Sequence, residues 1–411
     1  MKSTFLIEMQ ERGFLNQCTD LGKLDSIISK KSISAYIGFD CTANSLHVGS
    51  LLQIMILRLL QKHGHKPIVL LGGGTTLIGD PSGKDSTRKI LKQKDIKKNI
   101  SGIKRIFEKL LTFKNKTTKP IFVDNYTWLG KLNYIDFLRN IGSQFTLNKM
   151  LTFDSVKSRL DREQSLSYME FNYMILQAFD FYKLYEKEKC LLQLGGSDQW
   201  GNIVSGVDLI RRILKKEAFG LTSPLITLSS GAKMGKTEKG AVWLDEKLFS
   251  SYDYWQFWRN SDDRDVLKFL KFFTDIEIGK IQKLEKEKHI NELKIILANE
   301  TTKILHGKMK SSKAEKTASD IFKLGKMSEN LPTKNILRED ISAGIKLLEL
   351  LVNSSITSSK SEARRAINNK GIKINDLLVV DENKILNISD FIKENMKISF
   401  GKKKHFLFKI T

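Results

Sequence analysis

The sequence is poor in cysteine and has no long apolar run. Cys18, Cys41 and Cys190 are far apart and odd in number. They predict neither a disulfide framework nor a zinc site, which favours a reducing compartment, the cytoplasm. Because no run of about 18 apolar residues occurs, we expect no contact with a membrane. Glu8 and Glu11 stand where a signal peptide would be apolar, so we expect no secretion.

Positive charge is what the chain has in excess. The formal net charge is +23 at pH 7, and 55 of the 69 basic residues are lysines. A nucleic acid is the first candidate partner for such a chain, although a general compositional bias towards lysine would explain the same total. Clustering is more informative, and residues 345–411 hold 13 Lys and Arg against 7 Asp and Glu.

The spacing of apolar residues in the first half predicts an α/β fold. Residues 33–39 predict a strand, 48–62 an amphipathic helix that stops near Gly64, and 67–74 a second, buried strand. Strand, helix and strand within about 40 residues form a βαβ unit, so we expect a Rossmann-like parallel sheet. Further elements of this sheet and its helices are predicted at 120–125, 166–187, 190–196 and 202–216.

The second half changes character, because glycines become rare and charged amphipathic helices follow. These helices are predicted at 246–260, 262–274, 276–298 and 300–324. Residues 326–340 are polar, contain Pro332 and predict a linker. The resulting division is an α/β domain over 1–225, a polar loop (the lysine loop) over 226–245, an α-helical domain over 246–325, a linker over 326–344 and a small basic α+β module over 345–411.

The first candidate site lies between the first strand and its helix, in "FDCTANSLHVGS" (39–50). Ligands of an open parallel sheet bind beyond the carboxyl ends of the strands, where helix N-termini attract anions. Thr42, His47 and Ser50 are predicted to donate to phosphate oxygens, and Gly49 to let a ligand approach the backbone. The alternative is that Ser45 and Asn44 only cap the helix, which would explain one or two of these groups.

A second candidate is the glycine loop "LGGGTTLIGDPSGKDS" (71–86). It matches neither the dinucleotide fingerprint nor the Walker phosphate loop, because Leu77, Ile78 and Asp85 replace required residues. We therefore expect the loop to line a pocket, in which the carboxylate of Asp80 suits an ammonium group better than a phosphate.

Polar residues also interrupt the apolar helix predicted at 166–187. Tyr173, Gln177 and Asp180 fall on one stripe of this helix, at i, i+4 and i+7. Buried polar groups need partners, so the stripe predicts the wall of a polar pocket; the alternative is that it faces solvent.

Two further polar segments follow buried elements. Asp198 and Gln199 follow the strand predicted at 190–196, again at a carboxyl end. In the lysine loop, Lys233 and Lys236 flank a glycine and are predicted to reach a triphosphate. A lone pair of lysines is a weak signal, because such pairs are common on surfaces, and its weight comes from the other motifs.

Together these motifs resemble the class I aminoacyl-tRNA synthetases, whose two signatures are usually written HIGH and KMSKS. The corresponding stretches here are "HVGS" at 47–50 and "KMGKT" at 233–237. Four longer stretches resemble the bacterial-type tyrosyl-tRNA synthetases in the same order: "YIGFDCTANSLHVGSLL", "LIGDPSGK", "NYMILQAFDF" and "GGSDQWGNI". The resemblance runs from about residue 5 to the C-terminus.

The resemblance implies a role for each site residue. The phenolic hydroxyl of the substrate tyrosine would contact Tyr36 and Asp180, and its ammonium group would contact Asp80, Tyr173 and Gln177. The amino acid or the ribose of its adenylate would contact Gly38, Asp40, Gly196, Asp198 and Gln199. The ATP phosphates and the catalytic step would depend on Thr42, His47, Gly49, Ser50, Lys233, Lys236 and Thr237.

It also implies the reaction and its partners. L-tyrosine and ATP would form tyrosyl-adenylate and pyrophosphate, Mg²⁺ would accompany the triphosphate with no tightly bound metal, and tRNA(Tyr) would receive the tyrosine. A homodimer is implied, with apolar residues 134–151 as the interface or, alternatively, as a plain core helix. We expect no editing domain, because the sequence contains no long insertion that could form one. Ser50 replaces the second histidine of the usual motif, and Ile37 replaces a cysteine that often touches the ribose.

The C-terminal stretch "ITSSKSEARRAINNKGIKIN" (356–375) is similar to the S4-like RNA-binding module shared with a ribosomal small-subunit protein. Phosphate contacts would come from Arg364, Arg365, Lys370 and Lys373. Two other functions remain open at this stage. A tryptophanyl enzyme shares the architecture, but indole offers only a donor to the Tyr36 and Asp180 pair. A catalytically inactive RNA-binding relative would keep the fold alone.

Overall fold

The computed structural model describes residues 1–81, 91–229, 231, 234–237, 240–324, 331–392, 394–401 and 404–411, and only the backbone of residues 155, 236, 237 and 321–324. By their contacts the residues form two units. The first contains residues 1–236, 241–245 and 262–293, and the second contains residues 237–240, 246–261 and 294–411.

Strands and helices alternate through the first part of the chain, as the sequence predicts. They are α1 (Thr4–Arg12), β1 (Gln17–Cys18), α2 (Leu21–Ile28), β2 (Ser34–Asp40), α3 (Leu51–Lys62), β3 (Lys66–Gly72), α4 (Thr75–Ile78), α5 (Gln93–Leu110), β4 (Ile121–Asp124), α6 (Tyr126–Leu129), α7 (Tyr134–Asn140), α8 (Leu147–Met150), α9 (Asp154–Asp161), α10 (Tyr168–Phe171), α11 (Tyr173–Glu188), β5 (Cys190–Gly196), α12 (Trp200–Leu214) and β6 (Phe219–Ser223).

These strands form one sheet in the order β1-β6-β5-β2-β3-β4. All neighbouring pairs from β6 to β4 are parallel, whereas the edge strand β1 is antiparallel to β6. From β2 the chain adds β3 and β4 on one side and later β5 and β6 on the other. The strand order therefore reverses between β2 and β5, where ligands bind in open α/β sheets.

Buried apolar residues from the sheet and from α11 and α12 form the core beside this point. Tyr36, Ile68 and Leu70 of the sheet pack in one cluster with Phe181 and Leu209 of the two helices. The inner strand β3 is buried at almost every position, as in parallel sheets whose two faces are both covered, so its sequence reads as a continuous apolar run. The predicted α/β class with a parallel sheet is confirmed.

Two predicted helices of this region are interrupted. In the region of the helix predicted at 166–187, a capping box at Ser167 begins the short α10, which ends at Phe171, and Asn172 separates it from α11, which begins at Tyr173. Residues 134–151 form α7 and α8 with an irregular segment between them. Every residue of α7 is at least partly exposed, so the alternative of a plain core helix is wrong.

The middle of the chain is mostly helical. Its elements are β7 (Lys236–Thr237), β8 (Gly240–Ala241), α13 (Ser251–Arg259), α14 (Val266–Phe273), α15 (Ile278–Glu287), α16 (Ile290–His306) and α17 (Lys308–Leu324). The single helix predicted at 276–298 is wrong, because Lys288 is extended and separates α15 from α16. The break predicted near residue 299 lies instead at Gly307, whose φ of +88° is left-handed and ends α16.

The C-terminal part is a small α+β module. It contains β9 (Thr333–Ile336), α18 (Arg338–Ala343), β10 (Ile345–Lys346), α19 (Leu347–Asn353), α20 (Lys360–Asn368), β11 (Ile372–Ile374), β12 (Leu377–Leu378), β13 (Ile385–Leu386), β14 (Asn395–Phe400) and β15 (Lys404–Ile410). One sheet has the order β12-β11-β14-β15-β9. Part of the predicted linker is thus ordered, because β9 pairs in parallel with β15 and buries Ile336. The predicted bounds of the domains stay a prediction.

In the described parts of the chain, no helix combines the length and the apolar character needed to cross a membrane.

Candidate active site

A cavity of about 410 Å³ lies at the carboxyl ends of β2 and β5, where the strand order reverses. The predicted site residues that line it are Tyr36, Gly38, Asp40, Thr42, His47, Gly49, Ser50, Asp80, Tyr173, Gln177, Asp180, Gly196, Asp198 and Gln199. Lys233 and the side chains of Lys236 and Thr237 lie outside the described residues. Segments that are far apart in sequence therefore meet around one space.

Asp180 forms the most deeply buried charged wall of this cavity. Its side chain is 1% exposed, and its two oxygens accept hydrogen bonds from Trp128 Nε1 at 2.7 Å and Asn125 Nδ2 at 2.8 Å. Burial raises the pKa of Asp180 to about 7, against the opposing effect of these two donors, and Asp124 adds to the rise. The stripe predicted on this helix therefore faces a pocket, and the solvent alternative is wrong for Asp180.

Tyr36 lies beside Asp180 and is also fully buried. Its hydroxyl finds no hydrogen-bond partner among the described residues, although it lines the cavity. Burial, followed by the nearby Asp180, raises the pKa of Tyr36 well above its ordinary value, so the hydroxyl stays protonated. A buried polar group without a partner is costly, and a ligand hydroxyl in the cavity would satisfy it. We call Tyr36, Asp180, Asn125 and Trp128 the deep slot.

A chain of amides connects the wall of the cavity to Asp80. Asn202 on α12 donates to Gln177 Oε1 and to Gln199 Oε1, each at 3.1 Å. Gln199 Nε2 in turn donates to Asp80 Oδ2 at 2.9 Å. This chain fixes the rotamers of three side chains predicted to bind a ligand, and it orients carbonyl and carboxylate oxygens around one place. Such an arrangement suits a cation such as an ammonium group.

The turn that carries His47 has an unusual cap. His47 Nδ1 accepts a hydrogen bond from the backbone N–H of Gly49 at 3.0 Å, so His47 itself caps the turn that leads into α3. Ser50 makes no capping bond, and Ser45 Oγ accepts instead from the N–H of Asp245. The alternative that small polar residues cap the helix is therefore wrong. Because Nδ1 is an acceptor, the neutral ring carries its proton on Nε2 and can donate from there.

Part of the lysine loop packs directly on this histidine turn, which we define as residues 45–50. Trp243 forms an isolated β-bridge with His47, and the N–H of Val48 donates to the carbonyl of Val242 at 2.9 Å. Met234 is buried. A Cβ atom built on Gly49 would lie 2.9 Å from the carbonyl oxygen of Met234, so the space beside Gly49 is occupied by the loop backbone.

Sequence reasoning missed several residues of the cavity. Asn125 and Trp128 hold Asp180, and Thr75, Gln193 and Trp243 line the same space. Asn125 directly follows β4, so the rule that ligands lie at the carboxyl ends of strands could have found it. Trp128 gives no such signal, because its distance in sequence from Asp180 has no helical or strand period. Both residues that depart from the family pattern, Ile37 and Ser50, line the cavity.

The predicted RNA-binding residues lie in the C-terminal module. Arg364 and Arg365 are exposed on α20, and Lys370 and Lys373 are exposed on the segment that follows it. Arg364 forms an ion pair with Glu382 at 3.3 Å. No group of three or more His, Cys, Asp or Glu side chains able to hold a metal ion occurs among the residues with known positions.

Two known protein families match successive parts of the chain. Residues 29–323 match the family described as tRNA synthetases class I (W and Y), and residues 324–408 match the family described as Tyrosine--tRNA ligase SYY-like C-terminal domain. The Tyrosine--tRNA ligase of Pelagibacter ubique is 62% identical, with 98% of each chain covered. That of Rickettsia prowazekii is 54% identical, with 99% of this chain and 100% of the relative covered.

A solved structure shows a similar fold. The C-terminally truncated mitochondrial tyrosyl-tRNA synthetase of Aspergillus nidulans superposes with a TM-score of 0.70 at 28% identity, covering 78% of this chain and 95% of its own. The order of the sheet, the cavity at its reversal point and these matches agree. The chain belongs to the tyrosine–tRNA ligase family of class I aminoacyl-tRNA synthetases.

Proposed function

We propose that this chain is a tyrosine–tRNA ligase that activates L-tyrosine with ATP and then transfers it to the 3′ end of tRNA(Tyr). The observation that carries the substrate assignment is the deep slot, in which a buried carboxylate and a buried, unpartnered hydroxyl lie side by side. The phenolic hydroxyl of tyrosine donates to Asp180 and bonds to Tyr36.

The slot explains how the enzyme rejects phenylalanine. A site built to bond a substrate hydroxyl leaves its own buried groups unpaired when the hydroxyl is missing, which disfavours the analogue by about 10⁴–10⁵, a rule for which tyrosyl-tRNA synthetases themselves are the known example. Tryptophan is disfavoured because its indole offers a single donor and no acceptor. With this discrimination no editing domain is required.

The ammonium group of tyrosine is held at the other end of the amino acid. Asp80, Tyr173 and Gln177 provide oxygens for its three donors, and the bond from Gln199 keeps the Asp80 carboxylate oriented. Gly38, Asp40, Gly196 and Asp198 lie further along the cavity, towards the place proposed for the ribose of the adenylate.

Catalysis rests on positioning and on charge stabilisation. The tyrosine carboxylate attacks the α-phosphorus of ATP, its new bond to phosphorus forms as the bond to pyrophosphate breaks, and no protein nucleophile takes part. His47 donates from Nε2 to a phosphate oxygen, while Thr42, Ser50 and the residues Lys233, Lys236 and Thr237 add further donors. Each donor acting in the transition state contributes about 2–4 kcal/mol. Magnesium accompanies the triphosphate, whose oxygens are the ligands it prefers.

The second step, the transfer of tyrosine to tRNA, requires residues that bind the tRNA. Arg364, Arg365, Lys370 and Lys373 are the proposed phosphate contacts, because they are exposed, close in sequence and part of a segment with an excess of basic residues. Since ATP and tRNA are substrates inside the cell, we place the protein in the cytoplasm.

We propose a homodimer through the face made by α7 and its neighbours. Tyr134, Ile135 and Tyr168 are each at least 60% exposed, and the hydroxyls of the two tyrosines lie 3.1 Å apart. Exposed apolar residues grouped in this way mark protein–protein contacts. Analytical ultracentrifugation of Ile135→Asp should give a monomer where the unaltered chain gives a dimer.

An ATP–pyrophosphate exchange assay with each amino acid tests the function. Exchange that depends on tyrosine alone supports the proposal, and exchange with tryptophan alone would identify the tryptophanyl enzyme instead. No exchange with any amino acid would identify an inactive RNA-binding relative. The matched control is tyrosine against phenylalanine, which differ only in the hydroxyl that the deep slot is proposed to read.

A further inference from the structure

Two glycines, one in the lysine loop and one in the histidine turn, lie against each other. Gly235 has a φ of +92°, and a Cβ atom built on it would lie 2.6 Å from the backbone nitrogen of Gly49 and 2.9 Å from His47 Nδ1. Real Cβ atoms do not approach backbone atoms this closely, so a side chain at 235 would force the two segments apart.

The contact is reciprocal. A Cβ atom on Gly49 would lie 2.9 Å from the carbonyl oxygen of Met234 and 2.6 Å from His47 Cε1. The backbone of the loop therefore rests on the backbone of the turn with no side chain between them. Met234 is 5% exposed, which shows that this part of the loop is packed into the protein and is not a solvated tip.

Backbone hydrogen bonds fix the register of this contact. The N–H of Val242 donates to the carbonyl of Gly235 at 3.1 Å, and the N–H of Val48 donates to the carbonyl of Val242 at 2.9 Å. The N–H of Leu244 donates to the carbonyl of Leu46 at 2.9 Å. Gly235 is thus connected, through Val242, to the residue that directly follows His47.

We infer that Gly235 and Gly49 form a side-chain-free seat that sets the distance between the lysine loop and His47 during adenylate formation. Gly235 is a positioning residue, because it acts through Lys236 and His47 and not on the substrate itself. Lys236 follows Gly235 directly in the chain, so a displacement of Gly235 is passed to the lysine through a single peptide bond. This inference rests on the proposed function, because it assumes that the lysine and the histidine act on the same ATP molecule.

The chain offers a matched control for the seat. Gly231 lies in the same loop and has a φ of +80°, but a Cβ atom built on it meets nothing within 4 Å. Gly235→Ala and Gly231→Ala therefore impose similar backbone strain, and only the first inserts an atom into the contact. A difference between the two variants reports the contact and not the strain.

The experiment measures single-turnover tyrosyl-adenylate formation, together with the dissociation constant of tyrosine. Misplacing a catalytic group by about 1 Å costs about 100-fold in rate, and we expect a loss of this order for Gly235→Ala with tyrosine binding unchanged within about twofold. Gly231→Ala should stay within about threefold of the unaltered chain. Unchanged tyrosine binding shows that each variant is folded around the deep slot.

Gly49→Ala and the double variant give a second readout. A Cβ atom on Gly49 would also displace the His47 ring, which it would approach to 2.6 Å, so Gly49→Ala should be the worse single variant. Because both substitutions also open the same contact, the double variant should lose little more than Gly49→Ala, so the two effects are far from multiplicative. Equal losses in Gly235→Ala and Gly231→Ala, or fully multiplicative losses in the Gly49 and Gly235 variants, would overturn the seat. If the unaltered chain itself formed no adenylate from tyrosine, the proposed function would fail, and the role of the seat with it.

Discussion

The two ends of the cavity are built by different means. In the deep slot, side chains hold side chains: Asp180 is fixed by Asn125 and Trp128, and all of them are buried. At the histidine turn, the lysine loop lies against Gly49 through backbone atoms, and Gly49 and Gly235 keep side chains out of that part of the contact. The first arrangement suits the recognition of one substrate, and the second suits the assembly of a catalytic site from two segments.

The difference teaches how a substitution should be read at each end. A change in the slot leaves buried polar groups without partners and should weaken the binding of tyrosine. A change at the turn or in the loop should slow the chemical step and leave tyrosine binding intact. The following changes test this division, from the largest expected effect to the smallest.

Asp180→Ala should break the slot most severely. It leaves the donors of Asn125, Trp128 and the substrate phenol without an acceptor, and each buried donor left unsatisfied costs about 1–3 kcal/mol. Steady-state kinetics should show kcat/KM for tyrosine reduced by roughly 10²–10⁴-fold. Glu188→Ala, at the end of the same helix and outside the cavity, is the control and should keep its activity. An Asp180→Ala enzyme with normal kcat/KM would remove the carboxylate from tyrosine recognition.

Lys236→Ala should impair the end of the cavity at which the lysine loop is proposed to act. We expect adenylate formation to slow by about 2–4 kcal/mol, roughly 30- to 1000-fold, because a donor to the developing charge is lost. The tyrosine dissociation constant, measured by equilibrium dialysis, should hardly change. Unaltered single-turnover kinetics would exclude the lysine loop from the mechanism.

Lowering the pH should distinguish the two ends of the cavity, because Asp180 in the deep slot titrates near neutrality. The pKa of Asp180 is raised to about 7 in the free protein, and its ionised form is the stronger acceptor for the phenolic hydroxyl. Below that pH the dissociation constant of tyrosine should therefore rise, by at most about tenfold per pH unit, while the KM for ATP should not follow. Trp128→Phe removes one donor that lowers this pKa, so its inflection should move to higher pH. A flat profile between pH 5.5 and 7.5 would contradict the assignment of the acceptor.

The same shift has a consequence for stability. Asp180 keeps its proton in the folded state at pH values where the unfolded chain, with its ordinary pKa of 3.8, has lost it. The folded state binds more protons in this window, so the contribution of Asp180 to stability falls as pH rises from about 4 to about 7. Recognition at neutral pH is therefore obtained at the expense of folding stability.

Tyr36→Phe should give the smallest effect. Losing one neutral hydrogen bond to the substrate costs about 0.5–1.5 kcal/mol, so tyrosine affinity should fall roughly 2- to 12-fold. The free protein should become more stable to urea by about 1 kcal/mol, because a buried hydroxyl without a partner is removed. Tyr182→Phe is the control: its hydroxyl donates to Glu186, so this change should cost stability and leave affinity alone. A stability loss in Tyr36→Phe would mean that its hydroxyl has a partner in the free protein.

Candidate site residues could be predicted from the sequence more completely than the ends of the helices. His47 and Asp180 could be proposed from local spacing, because the first directly precedes a helix and the second lies on a polar helix stripe. Tyr36, inside β2, was proposed only from the resemblance to the family. The division between α15 and α16 could not, because Lys288 has no strong preference for the extended conformation that it adopts. Gly307 was visible in the sequence, but an isolated glycine in a helical pattern does not by itself mark an end.

Contacts between distant segments were beyond the reach of the sequence. Trp128 reaches Asp180 because the sheet brings β4 next to β3 and α11 next to both, and no local period records this. The approach of Gly235 to Gly49 is of the same kind, since nothing in "KMGKT" or "HVGS" shows that the two glycines touch. Sequence spacing predicts which residues share an element, whereas the tertiary fold decides which elements share a contact.

Single-turnover kinetics of His47→Ala over a range of tyrosine concentrations tests the division of labour most directly. We predict that the rate constant for adenylate formation falls by roughly 30- to 1000-fold, because one transition-state donor is lost, while half-saturation by tyrosine stays where it is in the unaltered enzyme. A parallel weakening of tyrosine binding, or a rate constant equal to that of the unaltered enzyme, would contradict it.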